Sequence, residues 1–430
     1  MNAGKIQIEE QIFNRNYKSD LSFNIRFNFW MLRLVGSWPR PVYHPRLKTI
    51  ENAFLQLLCY VLLGCSLIPG SVGIVFEQKD LYMQFKLGST LGFILMAVLK
   101  YYFLNHHEDD IRWCTEYIDN DWKNVKHYED RKIMLDSASF CHRLILICGF
   151  FSYGSVIFFC IILPLTQGRI VEEGGNLTYI MPSIYFPMTI LDFRHSPYNE
   201  IICMVQLLSS FVCNSITVTA CALAALLAMH ACGQIQVLMS WMENLVDGRE
   251  KNIDSLDQRL ANIVELHVRI VKFFSFIART DNLLREISLI EFVGCTIIMC
   301  FVGYYTMMEW SFTQPVSGLT WIIVLISITF NIFIFCYIGE LLVQETIKIS
   351  EKSYMIEWYR MPGKTQLAIP LIISMSRSTM KITAGNIIEL SVSSFADVSI
   401  AVDVHKLKIN QACPNCCFKD GSALADFRAG

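Results

Sequence analysis

Residues 144–165 read LILICGFFSYGSVIFFCIILPL and contain no charged side chain. A helix needs about 20 apolar residues to cross a hydrocarbon core roughly 30 Å thick, and this run supplies them in one piece. A buried helix of a soluble protein can be as apolar, but here the pattern recurs. Apolar runs of span length occupy 53–76, 201–229, 289–308 and 316–338, the last again uncharged throughout. A sixth, 87–104, contains Lys100 close to its end, where a long side chain can snorkel to the interface. The chain therefore reads as an all-α, polytopic membrane protein with at least six spans.

Composition agrees. Of 430 residues, 53% are hydrophobic and 13% aromatic, which points to the bilayer as solvent. A net charge of -2 gives no electrostatic reason to expect a nucleic-acid partner. The sixteen cysteines are mostly scattered through apolar runs (Cys59, Cys148 and Cys336 among them), where a thiol behaves as a small hydrophobe, so no disulfide framework is read. The first residues are polar and charged as far as Asn52, so no cleavable signal peptide is expected before the first span.

Loops rich in Lys and Arg stay on the cytoplasmic side, and here the bias alternates. Arg33, Arg40, Arg46 and Lys48 precede the first span, and Arg112, Lys123, Lys126, Arg131, Lys132 and Arg143 lie between the second and third. The segment between the fourth and fifth adds Arg249, Lys251, Arg259, Arg269, Lys272, Arg279 and Arg285, and Lys348, Lys352, Arg360 and Lys364 follow the sixth. The alternate loops hold only Lys79 and Lys86, then Arg169 and Arg194, then none. The N-terminus is thus expected inside, the reverse of a G-protein-coupled receptor, and Asp130-Arg131-Lys132 reads as a solvated charge run in mid-loop. Asn176-Leu177-Thr178 falls in an outward loop and is a candidate glycosylation site at Asn176.

Outside the spans, residues 1–52 form a cytoplasmic arm. Within it Phe27, Phe29, Trp30, Met31, Leu32 and Leu34 suit either an interfacial helix or burial against the bundle. Between 256 and 286, Leu260, Ile263, Val264, Val271 and Phe274 recur on one face of an amphipathic helix leading into the fifth span. A helical extension follows the sixth span until Pro362, within a cytoplasmic region 339–385. No internal repeat is visible, so the chain is read as one membrane domain.

Particular motifs then resemble the insect odorant receptor family. They are Gly36-Ser37-Trp38-Pro39, the stretch YFPMTILDFRHSPY at 185–198, and His230-Ala231-Cys232-Gly233-Gln234. Cys336-Tyr337-Ile338-Gly339-Glu340, Trp358-Tyr359, Ile382-Thr383-Ala384-Gly385 and Ser391 to Phe395 follow in order. The resemblance implies a seven-helix insect chemoreceptor bundle with its N-terminus inside, in the plasma membrane. It implies a tuning-type, ligand-binding subunit that joins a co-receptor in a heterotetramer, with a non-selective cation pore lined by the seventh helix, here including Ser391, Ser394 and Phe395. It also implies a pocket for a small volatile hydrophobic odorant in the outer half of the bundle, among the second to sixth helices.

The aromatic and large apolar residues in those outer halves are the candidate contacts: Phe93, Phe158 with its neighbour Phe159, Met204, Leu208, Phe211, Tyr304, Tyr305 and Met308. Tyr304 and Tyr305 are favoured, since each brings an apolar ring and a hydroxyl. The same residue types also fill bundle interiors. His106-His107-Glu108-Asp109-Asp110 is read as a solvated helix end, and Cys413-Pro414-Asn415-Cys416 lacks a partner pair, so no metal or other cofactor is assigned. No motif supports an enzyme.

The end of the chain departs from the family. A seventh helix is expected from Asn386, yet only 386–402 is apolar enough, with Glu389 and Asp397 inside it. Asp403, Lys406 and Lys408 then open a polar tail, 403–430. The seventh helix is atypical or incomplete, and the expectation is a subunit that does not conduct. The alternatives carried forward are a gustatory receptor channel and a polytopic transporter, although neither repeat symmetry nor broken helices with buried charges is seen.

Overall fold

A computed structural model describes residues 14–39, 46–76, 81–168, 170–171, 178–180, 182, 184, 186–187, 194–243, 256–308, 315–355 and 382–401. The helices are α1 (Tyr17–Leu34), α2 (Arg46–Phe76), α3 (Leu81–His106), α4 (Glu108–Lys123) and α5 (Tyr128–Ile157). One π-helical turn (Phe158–Ile162) joins α5 to α6 (Leu163–Gln167). Then come α7 (Tyr198–Glu243), α8 (Leu256–Met308), α9 (Pro315–Met355) and a short α10 (Val392–Ala401). Among the described residues six helices are long and apolar enough to cross a membrane, and each apolar run of the sequence lies in one of them.

Lipid as solvent explains which side chains face out. On α2, Phe54, Leu57, Val61, Ile68 and Val75 are exposed, and so are Leu146, Phe150 and Ile157 on α5 and Ile161 in the π turn. An apolar surface this continuous is untenable in water and normal against acyl chains. Helix α7 is the opposite case: 89% of its apolar window is buried, against 22% for that of α5 and α6. Its middle is built of small residues, with Ala220, Ala222, Ala224, Ala225, Ala228 and Ala231 all buried, so neighbours approach on every side. Helices α1, α2, α3, α5, α8 and α9 all pack on it.

The π turn has a local cause. Pro164 cannot donate to the carbonyl one turn back, and the ladder widens just before it.

At the end of the bundle that carries α1, the loops are not loose. Helix α4 is amphipathic, burying Ile111, Cys114, Ile118 and Trp122. Asp130 and Arg131 sit in the first turns of α5, not in a solvated loop. Asp130 is 2% exposed and accepts from Trp241 Nε1 at 2.7 Å, while Arg131 grips Asp20 of α1 through Nε at 2.7 Å and a second bond at 2.9 Å. Asp20 also accepts from Asn14 Nδ2 at 3.1 Å. The solvated reading fails because these charges pair across elements far apart in sequence. In the helix end 106–110, His107 pairs locally with Asp110 at 3.0 Å, while His106 and Asp109 stay exposed. Helix α1 packs on the bundle with Asp20, Asn24, Ile25, Asn28 and Leu32 inward and Trp30 outward.

Before α10 the chain makes a hairpin, with β1 (Thr383–Ala384) paired to β2 (Ile388–Glu389). Gly385 and Asn386 both have positive φ, 63° and 57°, which suits Gly and Asn and cannot continue a helix. Helix α10 therefore starts at Val392 rather than at Asn386. Ser391 caps it: its Oγ accepts from the N–H of Ser394 at 3.1 Å. Trp358, Tyr359, Asn176 and the tail 403–430 lie outside the described residues.

Candidate ligand-binding site

At the end of the bundle opposite α1, the second to sixth membrane-length helices diverge around a cavity of about 90 Å³. That is several times the roughly 10–15 Å³ that one water needs. Helix α3 contributes Ser89, Thr90, Phe93 and Ile94; α5 contributes Ser152, Ser155 and Val156; the π turn contributes Phe159 and Cys160. Helix α7 presents Ser210, Cys213, Asn214 and Thr217, at the spacing of one helical stripe. From α8 come Cys295, Ile298 and Val302, and from α9 Trp321, Val324, Ser327, Ile328 and Asn331. Phe159 meets Trp321 edge to face, with ring centroids 5.5 Å apart.

The roof is a strap of chain that carries Ile180 and Ile184. Two side-chain amides of α7 hold it as a neighbouring strand would. Asn199 donates to the Ile180 carbonyl at 2.8 Å and accepts from its N–H at 3.1 Å. Gln206, two turns further on, does the same for Ile184 at 2.7 and 3.0 Å. Ile184 is 3% exposed and closes the cavity from above. Each clamp fills both backbone hydrogen-bonding groups of its residue.

Under the floor lies a pair of opposite charges. Lys100 of α3 and Glu291 of α8 form an ion pair, both side chains almost wholly buried. Lys100 does not snorkel: it points inward, where a partner relieves the cost of leaving water. Nζ reaches Thr217 Oγ1 at 3.5 Å, Cys295 Sγ donates to Glu291 Oε1 at 3.0 Å, and Asn331 Nδ2 donates to the same carboxylate. The expectation that buried charges are absent is thus corrected.

The candidate contacts read from the sequence fall in different places. Phe93 lines the cavity. Phe158 is half-buried in the π turn, and its neighbour Phe159 is the one in the lining. Met204, Leu208 and Phe211 are 57%, 49% and 43% exposed, along the outer stripe of α7. Tyr304 is half-buried, its ring 6.0 Å from that of Phe85. Tyr305 and Met308 belong to α8, but their side chains lie outside the described residues. Ser391 and Ser394 bond to one another at the start of α10, and Phe395 packs edge to face on Phe333 of α9 at 5.4 Å. Sequence reasoning missed Ser210, Asn214 and Thr217; the signal was a small, polar stripe at helical spacing in an otherwise apolar span.

A model of the family described as 7tm Odorant receptor matches residues 86–401. The chain belongs to the odorant receptor family. This odorant receptor is 27% identical over 119 residues to odorant receptor 22c of Drosophila melanogaster, a match spanning 28% of either chain. To odorant receptor 85b of the same fly it is 22% identical over 367 residues, 81% of this chain and 90% of that one. The insect olfactory receptor OR5 from Machilis hrabei, solved in complex with eugenol, superposes with a TM-score of 0.73 at 14% identity, over 92% of this chain and 100% of that one. At that identity the likeness is one of fold. The receptor is a multi-pass membrane protein of a receptor family, not an enzyme, and the transporter and gustatory alternatives give way to the family match.

Proposed function

We propose that this odorant receptor binds a small volatile hydrophobic ligand in the cavity among α3, α5, α7, α8 and α9. It does so as the tuning-type subunit that joins a co-receptor in an odorant-gated cation channel, its own altered C-terminus leaving the assembled complex non-conducting. The observation that carries this reading is the cavity itself: five spans and Ile184, held by Gln206, line one mostly apolar space. A ligand that fits the open arrangement better than the closed one shifts the balance between them. In this reading the receptor lies in the plasma membrane with α1 on the cytoplasmic side, and Asn176 carries a glycan outside. The Lys and Arg asymmetry of the loops supports that orientation. The fold likeness to a receptor solved with eugenol supports a ligand of that kind.

The test uses the full chain in detergent. A volatile that raises its melting temperature should lose that effect in Ser210→Trp, whose indole fills the cavity, while the unliganded melting temperature changes little. A ligand shift that survives in this variant would place the site elsewhere.

A further inference from the structure

Cavity floor and cavity wall are built differently. The walls are hydroxyls, thiols, apolar groups and the Asn214 carboxamide, which donates to the Ser210 carbonyl of its own helix, whereas the floor is a carboxamide held from below by a carboxylate. Asn331 is 4% exposed and belongs to the lining. Its Nδ2 donates to Glu291, and a carboxylate beside Lys100 is a pure acceptor. Turning the amide over would set Oδ1 against that carboxylate, so the NH2 group is committed downward. Oδ1 is left on the other side, where Cys148 Sγ lies 3.8 Å away. A thiol is a weak donor and a carbonyl oxygen has two lone pairs, so acceptor capacity is left over at the floor.

Charge settles what can use it. Lys100 and Glu291 compensate each other and are sealed from the cavity by Thr217, Cys295 and Asn331. A charged ligand would lose its hydration and meet no counter-charge there. A neutral ligand with a hydroxyl loses less and gains a bond to a pre-oriented acceptor.

We propose that Asn331 is a specificity-determining residue, whose fixed Oδ1 selects neutral ligands bearing a hydroxyl over otherwise similar ligands whose oxygen can only accept. Lys100 and Glu291 are positioning residues that act through Asn331. The inference rests on the cavity being the ligand site, and the experiment separates the two.

The probes are 2-phenylethanol, its methyl ether and ethylbenzene, titrated against the full purified chain with tryptophan fluorescence as the readout, Trp321 being in the lining. The native chain should bind the alcohol roughly tenfold more tightly than the ether, the worth of one net hydrogen bond. Asn331→Leu should abolish that ratio by weakening the alcohol alone, with ethylbenzene affinity unchanged as proof of an intact cavity. The double variant Lys100→Met, Glu291→Met should also reduce the ratio, because only the weak Cys148 thiol then orients Asn331. Equal affinity for alcohol and ether in the native chain overturns the inference and leaves the cavity reading standing, and so does a ratio that Asn331→Leu preserves. Failure of all three probes to bind the native chain overturns the cavity reading itself, and the inference with it.

Discussion

Asp20 and Arg131 show how much one side-chain pair can hold. Their two-point bond ties the N-terminal helix to α5, and the guanidinium keeps the Asp20 carboxyl below its ordinary value of 3.8. A carboxyl depressed in the folded state contributes stability that is fully present above its unfolded value and is lost as pH falls through the folded one. Docking of α1 should therefore hold at neutral pH and weaken progressively as the pH falls below about 3.8, seen as faster hydrogen exchange in α1. Asp20→Asn should weaken it already at neutral pH, by about 2 kcal/mol, the scale of a charged hydrogen bond. Lys100 gives the harsher case. Lys100→Met strands the Glu291 charge in the bundle and should cost about 3–5 kcal/mol, with loss of folded receptor at the cell surface. The double variant with Glu291→Met should recover much of that folded yield. If the double variant fares no better than the single one, the ion pair is not the cause.

Elements meet most closely where α9 passes the chain entering α10. A Cβ on Gly339 would run into the carbonyl oxygen of Leu390 and lie 2.8 Å from its Cβ. Leu390 is backbone-bonded to Ile382 at 3.3 Å, so the whole hairpin is braced against α9 at this point. Gly339→Ala should push the hairpin and α10 away together, at a cost of about 1–3 kcal/mol. Hydrogen exchange should then quicken across 382–401 and stay native in α3 and α7. Uniform quickening would mean that the glycine serves the bundle at large. The same logic explains the motif around Gly385: the turn needs left-handed backbone, and a side chain there would also strike Leu289 of α8.

For the whole molecule, the last helix decides conduction. The described part of α10, from Val392 to Ala401, rises about 15 Å, half of a hydrocarbon core. The sequence beyond it brings Asp403, Lys406 and Lys408, each costly in lipid. We expect this receptor, expressed with a co-receptor, to bind ligand without passing an odorant-evoked current. Replacing 399–430 with the corresponding segment of odorant receptor 85b should restore one. A current from the native chain would overturn this expectation, whatever the chimera does.

The sequence by itself determined that there are at least six long apolar helices, because the signature of a span is local: about 20 apolar residues in a row need no knowledge of their neighbours. Motifs in order gave the family for the same reason. Which side of each helix faces inward was not legible. In water the large apolar side chains would mark the interior, but in lipid they also serve outside, as Met204, Leu208 and Phe211 do. Only the tertiary structure turned the small, polar stripe of Ser210, Asn214 and Thr217 toward the cavity. It alone matched Lys100 with Glu291 and Asp20 with Arg131, since a charge finds its partner through space and the chain between them leaves no trace of the pairing.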